Sequence, residues 1–192
     1  MKKIIIATTN QGKLREIKKI LMDLPFTLLS LTDFENVPEV IEDKDTFIGN
    51  AEKKAAEIYN MFGLPVIADD SGLSVEQLNG RPGVYSARYA GENSSDEMNN
   101  KKLISELKGL PSPHPAKFIS VAVYYDGNNY ISASGELIGE IILDPKGNNG
   151  FGYDPLFVPE GYSSTLAELS MEEKNSISHR AKAFNKLKEK LI

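Results

Sequence analysis

Asp69 and Asp70 stand side by side where the apolar run Pro65-Val66-Ile67-Ala68 gives way to Ser71-Gly72-Leu73. The C-terminal end of a buried strand is where open α/β sheets place their ligands. Carboxylates there suit Mg²⁺, which takes one or two of them and fills its remaining positions with phosphate oxygens and water. One carboxylate could equally polarise a water molecule, and the same residues also fit a plain Asp-Ser-Gly turn leaving a strand. Neighbouring strand residues face opposite ways, so the two carboxylates are expected to point apart.

Four further constellations could act with them. Thr8-Thr9-Asn10-Gln11-Gly12-Lys13 lies where a first strand hands over to a first helix. Free N–H groups and the positive end of a helix dipole suit a phosphate there, and Lys13 adds a full charge. The alternative is that Asn10 simply caps the helix and Lys13 is a solvated lysine. Asn50 and Lys54 are four residues apart on a helix edge, with Glu42 close ahead. Helical amphipathicity alone would also place a lysine there. Arg88 lies in the run Gly83-Val84-Tyr85-Ser86-Ala87-Arg88-Tyr89, read as a loop. Gly147-Asn148-Asn149-Gly150-Phe151-Gly152-Tyr153-Asp154-Pro155 lacks the glycine spacing and βαβ context of a dinucleotide fingerprint. Its aromatic residues could instead face a planar ligand. Finally, Lys174, His179 and Arg180 gather donors ahead of a C-terminal helix, although a lone histidine there also fits a solvated cap neighbour.

The elements that must position these residues alternate in the first half of the chain. A strand is expected over 3–8, a helix over 13–22, a strand over 28–31 and an acidic loop over 33–45. A helix over 47–62 takes Thr46 as N-cap and ends at Gly63 and Pro65. Its stripe is Ile48, Ala51, Ala55, Ile58 and Phe62. After a strand over 65–68, a helix is expected over 96–108, then strand-like runs over 118–125, 130–137 and 139–143, the first two joined by Asp126-Gly127-Asn128-Asn129. A last helix begins after Ser178 as N-cap, with Ala181, Phe184, Leu187 and Leu191 on one face. The expected class is α/β, a mixed central sheet with flanking helices and two lobes around a central cleft. The whole of 1–192 is read as one two-lobed domain.

Composition narrows the function. The 192 residues carry a net charge of −5 and contain no cysteine, which excludes thiol nucleophiles, zinc–thiolate sites and disulfides. An acidic chain is a poor partner for nucleic-acid polymers or anionic membranes. Met1-Lys2-Lys3 and the short apolar run after it fall far short of a signal peptide, and no window reaches the length of a membrane span. A cytoplasmic protein is expected.

Taken together and in order, these motifs resemble the inosine/xanthosine triphosphate pyrophosphatases, house-cleaning enzymes for non-standard purine nucleotides. The opening pattern S/T-x-N-x-x-K-x-x-E is present as Thr8, Asn10, Lys13 and Glu16. Glu42, Thr46-Phe47, Asn50-Ala51 and Lys54-Ala55 match a second motif, with Asp43-Lys44 in place of the Thr-Gly pair many members carry. Asp69-Asp70-Ser71-Gly72-Leu73, Ser86-Ala87-Arg88-Tyr89, Gly150-Phe151-Gly152-Tyr153-Asp154-Pro155-Leu156-Phe157 and Lys174 with Ser178-His179-Arg180 complete the match over 8–180.

The resemblance implies Mg²⁺-dependent hydrolysis of a nucleoside triphosphate (XTP, ITP or dITP) to monophosphate and pyrophosphate. Thr8, Thr9, Asn10, Gln11, Gly12, Lys13 and Lys54 would hold the phosphates, with Ser71 and Arg88 as further substrate contacts. Glu42 and Asp70 would bind metal, and Asp69 or Asp70 would orient the attacking water. Phe151 would stack on the base within Phe151-Gly152-Tyr153-Asp154, while donors from Lys174, His179 or Arg180 would favour a purine bearing O6 over adenine. A homodimer is implied as well. The alternatives are a related pyrophosphatase for modified pyrimidine nucleotides and a nucleotide sensor without turnover. The proposed site residues carry a local charge of +2 within the overall −5.

Overall fold

The computed structural model describes residues 2–192; Met1, the first residue of the expected 1–192 domain, lies outside them. Six strands make one mixed sheet in the order β2-β1-β3-β4-β5-β6. They are β1 (Lys2–Ile6), β2 (Phe26–Ser30), β3 (Val66–Val75), β4 (Pro115–Tyr125), β5 (Tyr130–Ile141) and β6 (Phe157–Pro159). The α-helices are α1 (Gln11–Leu21), α2 (Phe47–Phe62), α3 (Asp96–Leu107), α4 (Met171–Ile177) and α5 (His179–Leu191). β1 pairs in parallel with β2 and β3, and β5 pairs antiparallel with β6. This is the α/β class, with a mixed sheet and flanking helices, that the alternation of patterns predicts. The chain divides into two compact units, one holding residues up to 70, 120–135 and 179–192, the other 71–119 and 136–178.

In the first unit β1 is buried on both faces, as a central parallel strand must be. Ile4 and Ile6 pack with Leu14, Ile17 and Leu21 of α1 and Phe184 and Leu187 of α5. Ile5 and Ala7 pack on the other side with Ala51, Ala55 and Ile58 of α2. β3 repeats the alternation, with Ile67 on the α1/α5 face and Val66 and Ala68 on the α2 face. α2 has the bounds and cap expected, Thr46 Oγ1 accepting from the Gly49 N–H at 3.1 Å. Ile48, the first residue of its expected stripe, is instead 42 % exposed.

The second unit has its own core, built from Leu73 and Val75 of β3, Leu103 and Leu107 of α3, Phe118 of β4, Leu137 and Ile141 of β5, and Leu156, Phe157 and Leu166.

Several boundaries differ from expectation. β3 does not stop at a turn after Ala68 but continues through both aspartates to Val75. The runs expected over 130–137 and 139–143 are the single strand β5, ending at Ile141. Gly139 does not break it, because the glycine serves close approach: a Cβ there would lie 2.2 Å from the Val158 carbonyl oxygen of β6. β6 and α4 are too short to give a periodic signal. Ser178 stands directly before α5, at the N-cap position expected of it, and it also closes α4 by donating its N–H to the Lys174 carbonyl at 2.9 Å. No helix among the described residues is long and apolar enough to cross a membrane.

Candidate active site

Strand alternation decides where the two aspartates go. Asp69 continues the face of Ile67, toward α1 and α5, and Asp70 continues the face of Val66 and Ala68, toward α2. Both are buried, at 1 % and 4 % exposure. On the α1 side the Lys13 ammonium lies 3.2 Å from Asp69 Oδ2, and on the α5 side Arg180 Nε lies 3.7 Å from the same oxygen. On the α2 side Asn50 Nδ2 donates to Asp70 Oδ2 at 3.0 Å.

The two carboxyls therefore titrate differently. Burial pushes Asp69 up, but the charges of Lys13, Arg180 and Lys54 outweigh it and hold the carboxyl below its ordinary range. Burial and then the negative charge of Glu42 push Asp70 up to about 6. Environments that drive paired acids apart assign them different work.

The residues expected around them are brought together within this unit. Asn10 caps α1, its Oδ1 accepting from the Lys13 N–H at 3.0 Å, while Thr8 Oγ1 accepts from the Asn10 N–H at 3.2 Å. Thr8 is buried; Thr9, Asn10 and Gln11 are exposed, and Gly12 and Lys13 are half-buried. Lys13 is thus both near a cap and committed to a buried carboxylate, not a solvated lysine. Lys54 Nζ donates to the Asp69 carbonyl at 2.8 Å and pairs with Glu42. Burial lowers the Lys54 pKa, but Glu42 and Asp69 more than restore it, so the ammonium stays charged. Asn50 is fully buried and also accepts the Lys44 N–H at 2.8 Å, tying Asp70 to the acidic loop that carries Glu42.

α5 contributes from the other side. Gly135 of β5 lets its first turn in: a Cβ there would lie 2.3 Å from the His179 carbonyl oxygen and 2.6 Å from Ala183 N. His179 and Arg180 are accordingly buried, at 4 % and 2 % exposure, so His179 is not a solvated cap neighbour. Arg180 Nη1 donates to Glu16 Oε2, a side chain one helical turn after Lys13 on α1.

The remaining expected residues belong to the second unit. Lys174 lies ahead of α5, as expected, but within a short helix of its own, α4; it is buried and donates to Asp154 Oδ2 at 2.6 Å. Its ammonium also lies 4.6 Å from the centroid of the Phe151 ring, in cation–π contact. The same Asp154 oxygen accepts the Phe151 N–H at 2.9 Å. Gly152 is gripped from α3, its N–H bonding Asp96 at 2.6 Å and its carbonyl Asn100 at 3.0 Å. Tyr153 donates its hydroxyl to the Ser86 carbonyl at 2.8 Å. Gly83–Arg88 forms a 3-10 helix rather than an open loop, with the Arg88 guanidinium 5.2 Å above the Tyr85 ring. Asn99 anchors this segment to α3, accepting from the Ala90 N–H at 2.8 Å and donating to the Ala87 carbonyl at 3.1 Å. Ser71, the first residue of this unit, is half-buried in β3.

The profile of the Ham1 family matches residues 4–190, nearly all of the chain and every motif above. The chain belongs to the Ham1 family. Its similarity to individual Ham1 proteins and their curated relatives is correspondingly broad. A dITP/XTP pyrophosphatase of Geobacter sulfurreducens is 53 % identical over 193 residues, covering 100 % of this chain and 97 % of that protein. One of Clostridium tetani is 50 % identical over 195 residues, covering 100 % and 96 %. The solved structure of a HAM1 protein from Coxiella burnetii superposes with a TM-score of 0.92 at 39 % identity, covering 100 % of this chain and 98 % of that one.

In this Ham1 protein the donor set around Asp70 fits a hard cation. Glu42 and Asp70 offer only oxygen, and the negative charge of Glu42 raises the cost of ionising Asp70, a conflict that a divalent cation relieves. Asp69 Oδ1 is buried with no hydrogen-bond partner. No three acidic or histidine side chains among the described residues form a metal cage by themselves. A cavity of about 550 Å³ on the first unit, beside Ile48, Ala133 and Lys186, includes none of the expected site residues. Motifs alone place Glu16 only as a pattern residue and Asn50 only as a helix edge. The signal for both is helical spacing, three after Lys13 and four before Lys54.

Proposed function

We propose that this protein hydrolyses the non-standard purine nucleoside triphosphates XTP, ITP and dITP to the monophosphate and pyrophosphate. The observation that carries this reading is the back-to-back pair Asp69 and Asp70, one face bearing cations and the other bearing Glu42. The names of the relatives, dITP/XTP pyrophosphatase, support the substrate class.

In this reading Asp69, kept ionised, holds the Lys13 ammonium in place while Lys54 is held by Asp69's carbonyl. The two lysines, with the exposed N-terminus of α1 from Thr9 to Gln11, neutralise the triphosphate. Asp70 takes the proton of the attacking water. The water oxygen bonds to the α-phosphorus, the bond from that phosphorus to the bridging oxygen breaks, and pyrophosphate leaves. Mg²⁺ would be held by Glu42 and Asp70 and, when bound, would neutralise phosphate charge and lower the pKa of water. Donors from Lys174, His179 or Arg180 would favour a purine bearing O6, and Phe151 would stack on the base. Adenine would set its 6-amino donor against these donors, and a site built on hydrogen bonds rejects such a mismatch strongly. The homodimer and the cytoplasmic location belong to the same proposal; sedimentation and cell fractionation check them.

The test is hydrolysis of methylated UTP against ITP, with Mg²⁺. Faster ITP turnover supports the purine reading, faster pyrimidine turnover moves the protein to a related pyrophosphatase, and ITP binding without pyrophosphate release makes it a sensor.

A further inference from the structure

Phe151 follows the run Gly147-Asn148-Asn149-Gly150, which lies outside every helix and strand. The next residue, Gly152, has a φ of 64°, and a Cβ there would meet nothing within 4 Å. Side-chain packing therefore cannot fix the chain at Gly152; its main-chain groups must. Both of them go to α3. Asp96 Oδ2 accepts the Gly152 N–H at 2.6 Å, and Asn100 Nδ2 donates to the Gly152 carbonyl at 3.0 Å.

Asp96 and Asn100 are one helical turn apart and so project from one face. Asp96 opens α3 directly after its cap, Ser95, where a carboxylate stabilises the helix. A carboxylate accepting from a backbone N–H also makes a stronger bond than a neutral acceptor. Asn100 keeps its Oδ1 buried with no hydrogen-bond partner. A buried unpaired oxygen weakens a fold, and a leucine of similar size would avoid it but could not hold the Gly152 carbonyl. The bond from Asp96 fixes the peptide that follows Phe151, and with it the direction of the Phe151 ring. Between them, Asn99 holds Ala87 and Ala90 on either side of Arg88 and Tyr89. One turn of α3 thus anchors two segments expected to meet substrate.

We propose that Asp96 and Asn100 are positioning residues for base recognition: they hold Gly152 so that Phe151 presents its ring to the purine in one orientation. The inference deepens the proposed function and rests on it.

The experiment compares the double variant Asp96→Ala/Asn100→Leu with wild type in ITP and ATP hydrolysis with Mg²⁺, alongside thermal denaturation. The folded double variant should raise KM for ITP about tenfold or more. Its ratio of kcat/KM for ITP over ATP should fall at least about threefold, because the base is no longer held against its donors. A merely structural role would lower activity toward both nucleotides alike. Asp96→Asn, which keeps an oxygen acceptor for the Gly152 N–H, should retain most of the wild-type KM. The chain contains no tryptophan, so Phe151→Trp places a single fluorophore on the loop. Its fluorescence anisotropy should be lower in the Asp96→Ala/Asn100→Leu background than in the wild-type one. An unchanged KM, an unchanged ITP/ATP ratio or equal anisotropy would overturn the proposal. If the double variant does not fold, each single substitution is read in its place under the same criteria. A wild-type protein that releases no pyrophosphate from ITP would instead overturn the functional reading beneath it, while the anisotropy still reports on the loop.

Discussion

Asp69 and Asp70 share a backbone and almost nothing else, because a strand sends successive side chains to opposite faces. Three cations keep Asp69 ionised, while burial and Glu42 raise Asp70 to about 6. Asp70→Asn should nearly abolish ITP turnover, whereas Asn50 can still donate to the new amide oxygen. The same substitution should stabilise the metal-free protein. A carboxyl whose folded pKa is raised favours the fold below its unfolded value of 3.8 and loses that contribution as pH rises through about 6. At pH 7 the loss is at most ~3 kcal/mol, so metal-free Asp70→Asn should melt several degrees higher there and match wild type near pH 3.5. Calorimetry across that range checks it, and an unchanged Tm at pH 7 would contradict the environment described for Asp70. Residue types and spacing in the sequence did reveal the carboxylate pair, Lys13 and Lys54. They could not separate the two acids, because the difference comes from helices far away in sequence. Nor could they place Arg180 beside Glu16, a contact spanning 164 positions.

At the scale of elements, α1 and α5 do most of the positioning. Asn10 caps α1 where the phosphates are proposed to bind. Asn10→Asp keeps an oxygen acceptor for the Lys13 N–H but adds a negative charge. Tm should move little, while KM for ITP rises about tenfold or more by charge repulsion; an unchanged KM would remove the α1 terminus from phosphate binding. Gly135→Ala would push a methyl group into the His179 carbonyl at 2.3 Å. The expected cost is ~2–3 kcal/mol, read as a lower Tm, together with reduced activity as the start of α5 is displaced. Helices with a strong periodic stripe and a clean cap, α2 above all, were legible from sequence. Elements decided by neighbours were not. β3 runs on through its aspartates, β5 passes through Gly139 because β6 lies against it, and α4 is only seven residues long.

At the scale of the molecule, a net charge of −5 coexists with a cluster in which Lys13, Lys54 and Arg180 surround one aspartate. Total charge governs encounters with long polyanions, while local charge governs a ligand the size of one triphosphate. The α/β class and the mixed sheet followed from alternating patterns, and the chain passes between its two units four times, within β3, β4 and β5 and between α4 and α5. All of this converges on one reaction. The most direct test supplies ITP, XTP, dITP, ATP and GTP in turn, with and without Mg²⁺, and measures pyrophosphate and orthophosphate separately. Mg²⁺-dependent pyrophosphate release from ITP, XTP and dITP, at least about a hundredfold more efficient than from ATP or GTP, is the result predicted. Release of orthophosphate, or equal turnover of ATP, would contradict it.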